Sequence, residues 1–137
     1  MKKMINSLAL IFTIVSLTSC SSESEGVNEP VETAKSYTHN ANELELLDKV
    51  NEYRVSIGLN PLQIIEHISY KSSEHNAYMV ANQTVTHEGF DQRKENLQNV
   101  LGAFRVGENV AFAYATAQST VNAWINSPGH KANLEGD

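Results

Sequence analysis

The sequence predicts a single α+β domain in which helices dominate and strands are few. Apolar residues recur at helical spacing in several stretches, whereas only short segments alternate as a strand does. The chain has 137 residues, which suits one domain, and its 41% of hydrophobic residues is ordinary for a globular protein. A sheet of one or two strands is marginal alone, so we expect helices to supply most of the core.

The first helix begins near Asn42, where Glu45 follows at the spacing of a capping box. Gly58 and then Pro61 supply its stop. Spacings of four, three and four residues place four apolar side chains on one face, namely Leu46, Val50, Tyr53 and Ile57.

Three more helices are expected further along the chain. The second covers about 65–81, and the third about 91–101. The fourth has Thr116 as its N-cap and ends at Pro128 and Gly129. The side chains expected to face inward are Ile65, Ile68, Tyr78 and Ala81 in the second helix, and Val121 and Trp124 in the fourth.

The stretch GENVAFAYA, residues 107–115, has two interpretations. Val110, Phe112 and Tyr114 alternate as in a short strand, while the intervening alanines also permit a helical turn.

The amino-terminal residues indicate export. Lys2 and Lys3 precede an apolar run of about a dozen residues, which is too short to span a membrane and is typical of a signal peptide over 1–19. The closing LTSC resembles the lipobox of bacterial lipoproteins. This resemblance implies that Cys20 is acylated and that the lipid holds the protein in the cell envelope, facing the periplasm or the cell surface. The alternative is an incidental cysteine at a plain cleavage site. Residues 20–41 are polar and predict a flexible tether.

The charge of the chain argues against nucleic-acid binding. Its net charge is −6, and removal of the signal peptide would remove Lys2 and Lys3 and leave −8. Such a chain offers no basic patch to neutralise phosphates. Cys20 is the only cysteine, so no disulfide can form within the chain.

The five histidines divide into two groups. We expect His39 to be solvated in the tether, His67 to lie at the surface, and His75 to be partly buried in a helix with a hydrogen-bonded neighbour. His87 and His130 instead lie beside Gly and Pro residues that indicate loops, where functional side chains concentrate. The candidate site residues are therefore His87 and His130.

Three motifs in order resemble the CAP superfamily of cysteine-rich secretory proteins, venom antigens and plant pathogenesis-related proteins: HEGF at 87–90, GENVA at 107–111 and SPGHKAN at 127–133. The resemblance extends from Asn42 to Asp137 and is closest to the bacterial branch without disulfides. It implies a three-layer α-β-α sandwich. Most of the sheet follows the second histidine in this family, so Asp137 reads as a truncation and the remaining chain is expected to be mostly helical.

The resemblance also implies a cleft that holds two histidines and two glutamates, and zinc as the candidate metal. His87, Glu108 and His130 match three of these positions, whereas the second glutamate falls on Ser127. Two imidazoles hold zinc weakly without further ligands. Asn109, Ser127 and Asn133 are the expected supporting residues.

Three roles for Glu108 and two functions stay open at this point. The carboxylate could orient a histidine or act as a general base, or it could instead pin backbone N–H groups at the turn of Gly107. The resemblance favours an envelope-anchored binding or scaffold module for a small apolar or peptidic ligand. The alternative is a metal-assisted peptide hydrolase in which His87 and His130 bind the metal and Glu108 is the base.

Overall fold

The computed structural model describes residues 32–136, and the predicted signal peptide, Cys20 and Asp137 lie outside this range. The described residues form helices and irregular segments but no strand. The mostly helical prediction is confirmed, and the three-layer sandwich stays a prediction. The helices are α1 (Ala41–Ser56), α2 (Glu66–Ala81), α3 (Phe90–Leu101), α4 (Ala117–Ile125) and α5 (Pro128–Leu134).

Helix α1 begins with a capping box that lies two residues before the predicted one. The Glu43 N–H donates to Asn40 Oδ1 at 3.0 Å, and the Asn40 N–H donates to Glu43 Oε2 at 2.9 Å. The prediction at Asn42 and Glu45 was wrong because both pairs have the same spacing, and the earlier pair is the one that caps.

One apolar cluster joins α1, α4 and α5. Its buried members are Val50, Val121, Trp124 and Leu134, and Leu46 and Tyr53 pack against them as predicted. The Trp124 Nε1–H donates to the carbonyl of Val110 at 3.2 Å, which fixes the irregular segment before α4 against this core. Ile57 is 45% exposed because α1 ends at Ser56.

The buried side of α2 is not the predicted apolar one. His67 and His75 are buried, whereas Ile65, Ile68 and Tyr78 are exposed. The expected surface position of His67 was therefore wrong. A polar ring tolerates burial when both nitrogens have partners, and here His67 Nδ1 accepts the Lys35 N–H at 3.0 Å while Nε2 lies 2.9 Å from Asn96 Oδ1. The prediction for His75 is confirmed.

Residues 32–40 of the predicted tether have no regular secondary structure but contact the helices. Besides the Lys35 contact, His39 Nε2 lies 2.8 Å from Ser69 Oγ, and the Asn96 amide donates to Glu32. The expectation that His39 is simply solvated was wrong, because its ring is half-buried against α2.

Two predictions after α3 were also wrong. Residues 107–113 form neither a strand nor a helical turn: Phe112 is 75% exposed, and Ala113 has a positive φ of 64° that interrupts an extended course. Pro128 follows α4, as predicted, but it is also the first residue of α5, because proline suits the first helical position. His130 is therefore in a helix and not in a loop.

Candidate functional site

The candidate site is built around the carboxylate of Glu108. Arg93 donates two hydrogen bonds to this carboxylate, from Nε to Oε2 and from Nη2 to Oε1, both 2.8 Å long. His87 Nδ1 lies 2.8 Å from Glu108 Oε1. The side chains of Glu108 and Arg93 are 19% and 15% exposed, whereas that of His87 is 50% exposed. The largely buried Arg93–Glu108 ion pair thus supports His87, whose side chain faces solvent.

The contact with Glu108 defines the protonation of the His87 ring. An ionised carboxylate can only accept hydrogen bonds, so His87 Nδ1 carries the proton that lies between them. In the neutral ring Nε2 is then an acceptor. Of the roles left open for Glu108, orienting the histidine agrees with these contacts. Within residues 32–136 the hydrogen bonds to this carboxylate come from side chains, and none comes from a backbone N–H at Gly107, so the predicted pinning of those groups is not observed.

His75 is a further member of this cluster that the sequence did not reveal. Its Nε2 lies 2.7 Å from the carbonyl of Thr86 and 3.9 Å from Glu108 Oε1. Because a carbonyl only accepts, the Nε2–H donates to Thr86 and holds the loop that presents His87. The side chain of His75 is 4% exposed. It is a positioning residue, and only its place on the buried side of α2 brings it here.

The loop between α2 and α3 sets the positions of His87 and Arg93, the two partners of Glu108. Gly89 has a positive φ of 72° and directly precedes α3, a conformation that favours glycine. One turn later Arg93 reaches back, and its Nη1 donates to the carbonyl of Glu88 at 2.8 Å. Residue spacing did not reveal this role for Arg93, because an arginine in the first turns of a helix is commonly a solvated residue.

The segment that carries Glu108 is fastened to α5 by two asparagines. Asn133 Nδ2 donates to the carbonyl of Glu108 at 3.1 Å and to Asn109 Oδ1 at 2.8 Å. Asn109 Nδ2 donates to the carbonyl of His130 at 3.0 Å. Gly107 permits this approach, since a Cβ there would lie 2.8 Å from Asn133 Oδ1. Asn109 and Asn133 thus hold the backbone on which Glu108 lies.

The ring of His130 has a different partner from that of His87. His130 Nδ1 lies 2.9 Å from the hydroxyl of Ser127, the residue at the position where the resemblance implies a glutamate. Within residues 32–136 no hydrogen bond or ion pair joins the His130 ring to Glu108 or to His87. The backbone of His130 is linked to the Glu108 segment through Asn109, and a cleft shared by both imidazoles stays a prediction.

The residues present do not fit a resident metal ion. In the described part of the chain, no group of three or more His, Cys, Asp or Glu side chains is arranged to hold one. His87 and His130 each use Nδ1 for a protein partner, which leaves one nitrogen apiece. Zinc usually needs three or four protein ligands. Zinc binding stays a prediction.

A cavity of about 270 Å³ lies beside the ion pair. Phe90, Leu97 and Val106 contribute apolar walls, while Arg93 and Glu108 are part of its charged lining. The space therefore combines an apolar surface with a fixed charge pair, as in small-molecule sites with a few placed polar groups.

Comparison with known proteins identifies the family. The family model described as "Cysteine-rich secretory protein family", CAP, matches residues 47–135. The uncharacterized membrane protein YlbC of Bacillus subtilis (strain 168) is similar, with 31% identity over 99 residues that span 69% of this chain and 29% of that protein. The chain thus spans less than a third of this relative.

The remaining comparisons add two findings. No solved structure matches the chain. Although YlbC is named a membrane protein, none of the helices in residues 32–136 of this chain is long and apolar enough to cross a membrane. The family match covers the segments that carry His87, Glu108 and His130, and it extends over more than half of the chain. The chain belongs to the CAP, or cysteine-rich secretory protein, family.

Proposed function

We propose that this protein is an envelope-anchored lipoprotein whose CAP domain binds a small apolar or peptidic ligand beside His87 and Glu108. The observation that carries the proposal is that both oxygens of the Glu108 carboxylate accept hydrogen bonds, from Arg93 and His87. A carboxylate held on both oxygens is a fixed support for a binding surface. Three hydrogen bonds from a cation and an imidazole also stabilise its ionised form, which makes it a weaker general base than a free carboxylate.

His87 supplies the polar contact of the proposed site. Its Nδ1–H is fixed by Glu108, so in the neutral ring Nε2 accepts a hydrogen bond from an amide or hydroxyl of the ligand. The neighbouring apolar walls of the cavity take the ligand's hydrocarbon part. His130, held by Ser127 on α5, is proposed to border the same cleft.

The second candidate is the metal-assisted peptide hydrolase with His87 and His130 as ligands. What favours it is the Glu108–His87 contact, because carboxylates orient metal-binding histidines in this way. What weighs against it is the small ligand set and the serine at position 127.

A peptide-cleavage assay with added zinc separates the two candidates. The binding proposal expects no cleavage of a fluorogenic peptide mixture above the level of Glu108→Gln. Glu88→Gln is the matched control, since Glu88 is a neighbouring carboxylate that accepts a hydrogen bond from Tyr78 rather than from His87. Zinc-dependent cleavage by the parent and by Glu88→Gln, lost in Glu108→Gln, would establish the hydrolase instead.

The proposed lipid anchor on Cys20 is tested separately by metabolic labelling. Cells that express the chain with labelled palmitate should yield labelled protein, and Cys20→Ser should remove the label because the acylated thiol is gone. Equal labelling of both proteins, or none in the parent, would contradict the envelope anchor.

A further inference from the structure

The segment 32–40, predicted from the sequence to be tether, lies across α2 and α3, and we call it the strap. Its first residue, Glu32, connects the two helices. One carboxylate oxygen accepts a hydrogen bond from the Asn96 amide on α3, and the other lies 3.4 Å from Lys71 Nζ on α2. The strap therefore holds the two helices together at the point where the chain enters the domain.

A continuous series of hydrogen bonds sets the protonation of the buried His67 ring. The Glu32 carboxylate only accepts, so Asn96 donates to it through Nδ2 and leaves Oδ1 as an acceptor, 2.9 Å from His67 Nε2. Nε2 therefore carries the ring proton. Nδ1 is then bare and accepts the N–H of Lys35 on the strap at 3.0 Å. This last bond requires a neutral His67, because a protonated imidazole has no nitrogen left to accept with.

The surroundings of His67 offer no partner for a positive charge. The residue is 1% exposed, and none of the ion pairs within residues 32–136 includes its ring. Its Nε2 faces the neutral Asn96 amide of α3. The titratable or charged side chains nearby are Tyr70 and Lys71 on α2, and Glu32 and Lys35 on the strap. Since Glu32 is already bound by Lys71 and Asn96, a protonated His67 would be a buried charge without compensation.

The other histidine of the strap contact has no such requirement. His39 Nε2 lies 2.8 Å from the hydroxyl of Ser69 on α2. A hydroxyl can donate or accept, so this contact is possible with a neutral or a protonated His39 ring. The two histidines thus provide an internal comparison on one segment, because only the His67 contact is lost on protonation.

We propose that the strap is a pH-sensitive switch, in which neutral His67 holds residues 32–40 on the domain and protonation of His67 releases them. Release takes up a proton, so the bound strap is favoured at neutral pH and lost as pH falls below about 6.5, where solvated histidines titrate.

The consequence of this switch rests on the proposed function, since it requires the lipid anchor on Cys20. With the strap bound, the spacer between anchor and domain is residues 21–31, and release adds the nine residues of the strap. At about 3.3–3.6 Å per residue, the candidate site gains at most about 30 Å of reach from the membrane. Acidification would therefore let the anchored domain bind partners further from the membrane surface.

Amide hydrogen exchange, followed by NMR in the full chain with Cys20→Ser, tests the switch. Rates at about pH 7.5 and about pH 5.5 are converted to protection factors, which removes the intrinsic effect of pH on exchange. A solvated imidazole is about ten times more often protonated than neutral at the lower pH, so Lys35 protection should fall about tenfold. The amide of Val121, which is 1% exposed in the core, should stay protected. Unchanged protection of Lys35, or equal losses at both amides, would overturn the inference.

Two variants assign the effect to one ring. His67→Asn places an oxygen near the position of Nδ1 that accepts the Lys35 N–H at any pH, so the difference between the two pH values should disappear. His39→Gln is the matched control and should keep the tenfold fall. Loss of the pH dependence in both variants, or in neither, would contradict the role of His67.

The parent chain supplies a second measurement if His67→Asn does not fold. Long-range ¹H–¹⁵N NMR should show a bare Nδ1 on His67 at neutral pH, and protonation of this nitrogen over the same pH interval in which Lys35 loses protection. A ring that becomes protonated while Lys35 stays protected would overturn the switch.

Failure of the switch and failure of the proposed function have different signatures. If the labelling assay finds no lipid on Cys20, a pH-dependent Lys35 amide still establishes the switch, and only the gain in reach is lost. If Lys35 protection is the same at both pH values, the switch is wrong, and the cleavage and labelling assays still decide the proposed function.

Discussion

At the scale of single residues, the Glu108 carboxylate contacts both the charged side chain of Arg93 and the solvent-facing ring of His87. Arg93 matches its two oxygens with the planar fork of its guanidinium, a geometry that lysine cannot reproduce. The pair is mostly shielded from water, so either partner left alone would lose hydration without compensation. His87 depends on this support for its orientation.

Removal of Arg93 should therefore destabilise the domain. We expect Arg93→Gln to lower the free energy of unfolding by about 1–3 kcal/mol, because a charged, mostly buried carboxylate loses its main partner. Arg93→Lys should lose less, since it keeps the charge but not both bonds. Urea denaturation measures both values. Lys94→Gln removes the same charge at the next position, and a loss as large in that control would contradict the specific role of Arg93.

The sequence predicted some members of this cluster and missed others. His87 and Glu108 were identified through motifs that resemble a family, and the contact between them agrees with one of the roles proposed for Glu108. Arg93 and His75 carried no such signal. Their importance depends on a turn at Gly89 and on which side of α2 is buried, and neither follows from residue spacing.

At the scale of elements, helical periodicity predicted where helices occur more reliably than which side they bury. The face of α1 was predicted correctly at Leu46, Val50 and Tyr53, which pack in one apolar cluster, whereas the buried Arg54 of the same helix was not predicted. On α2 the buried positions are histidines whose ring nitrogens are satisfied by Lys35, Asn96 and Thr86. Such partners lie outside the helix itself, so a hydrophobicity pattern cannot reveal them.

The close approach of the Glu108 segment to α5 gives a prediction about glycine. Gly107→Ala should destabilise the domain by about 1–3 kcal/mol, because its Cβ would press on the Asn133 amide that holds Glu108 and Asn109. Gly129→Ala is the control, since open space surrounds that position and its φ is ordinary. Its stability should stay within about 0.5 kcal/mol of the parent or rise. Equal effects of the two substitutions would contradict the close contact.

At the scale of the whole molecule, residues near position 135 are tied back to α1. Arg54 is buried and donates to the carbonyls of Asn60, Leu134 and Gly136. Tyr53 donates its hydroxyl to Glu135 Oε1 at 2.5 Å. The bonds to Leu134, Glu135 and Gly136 span about eighty residues of sequence and hold α5, and with it Asn133 and His130, in place.

The Tyr53 contact predicts a loss of stability at alkaline pH. The hydrogen bond to the Glu135 carboxylate raises the pKa of Tyr53 above its ordinary value of 10.0, and desolvation and the negative charge of Glu135 add to this. A raised folded-state pKa means that the stabilisation is complete below the unfolded-state value and is lost as pH rises through the folded-state value. Tyr53→Phe should therefore be less stable than the parent at neutral pH, and the difference should shrink above pH 10.

Thermal unfolding across this pH range measures the difference between the parent and Tyr53→Phe. Tyr114→Phe is the control, because Tyr114 is 50% exposed and its hydroxyl donates no hydrogen bond to a carboxylate within residues 32–136. A difference between parent and Tyr53→Phe that persists unchanged to high pH would contradict the role assigned to this hydroxyl.

The most direct test of the account is the protonation of the His87 ring, measured by long-range ¹H–¹⁵N NMR at a pH where the ring is neutral. We predict that Nδ1 carries the proton and Nε2 is bare, because Glu108 accepts from Nδ1. Glu108→Ala should remove this preference, whereas Glu88→Ala should leave it unchanged. A bare Nδ1 in the parent chain would contradict the supported, outward-facing histidine on which the binding site depends.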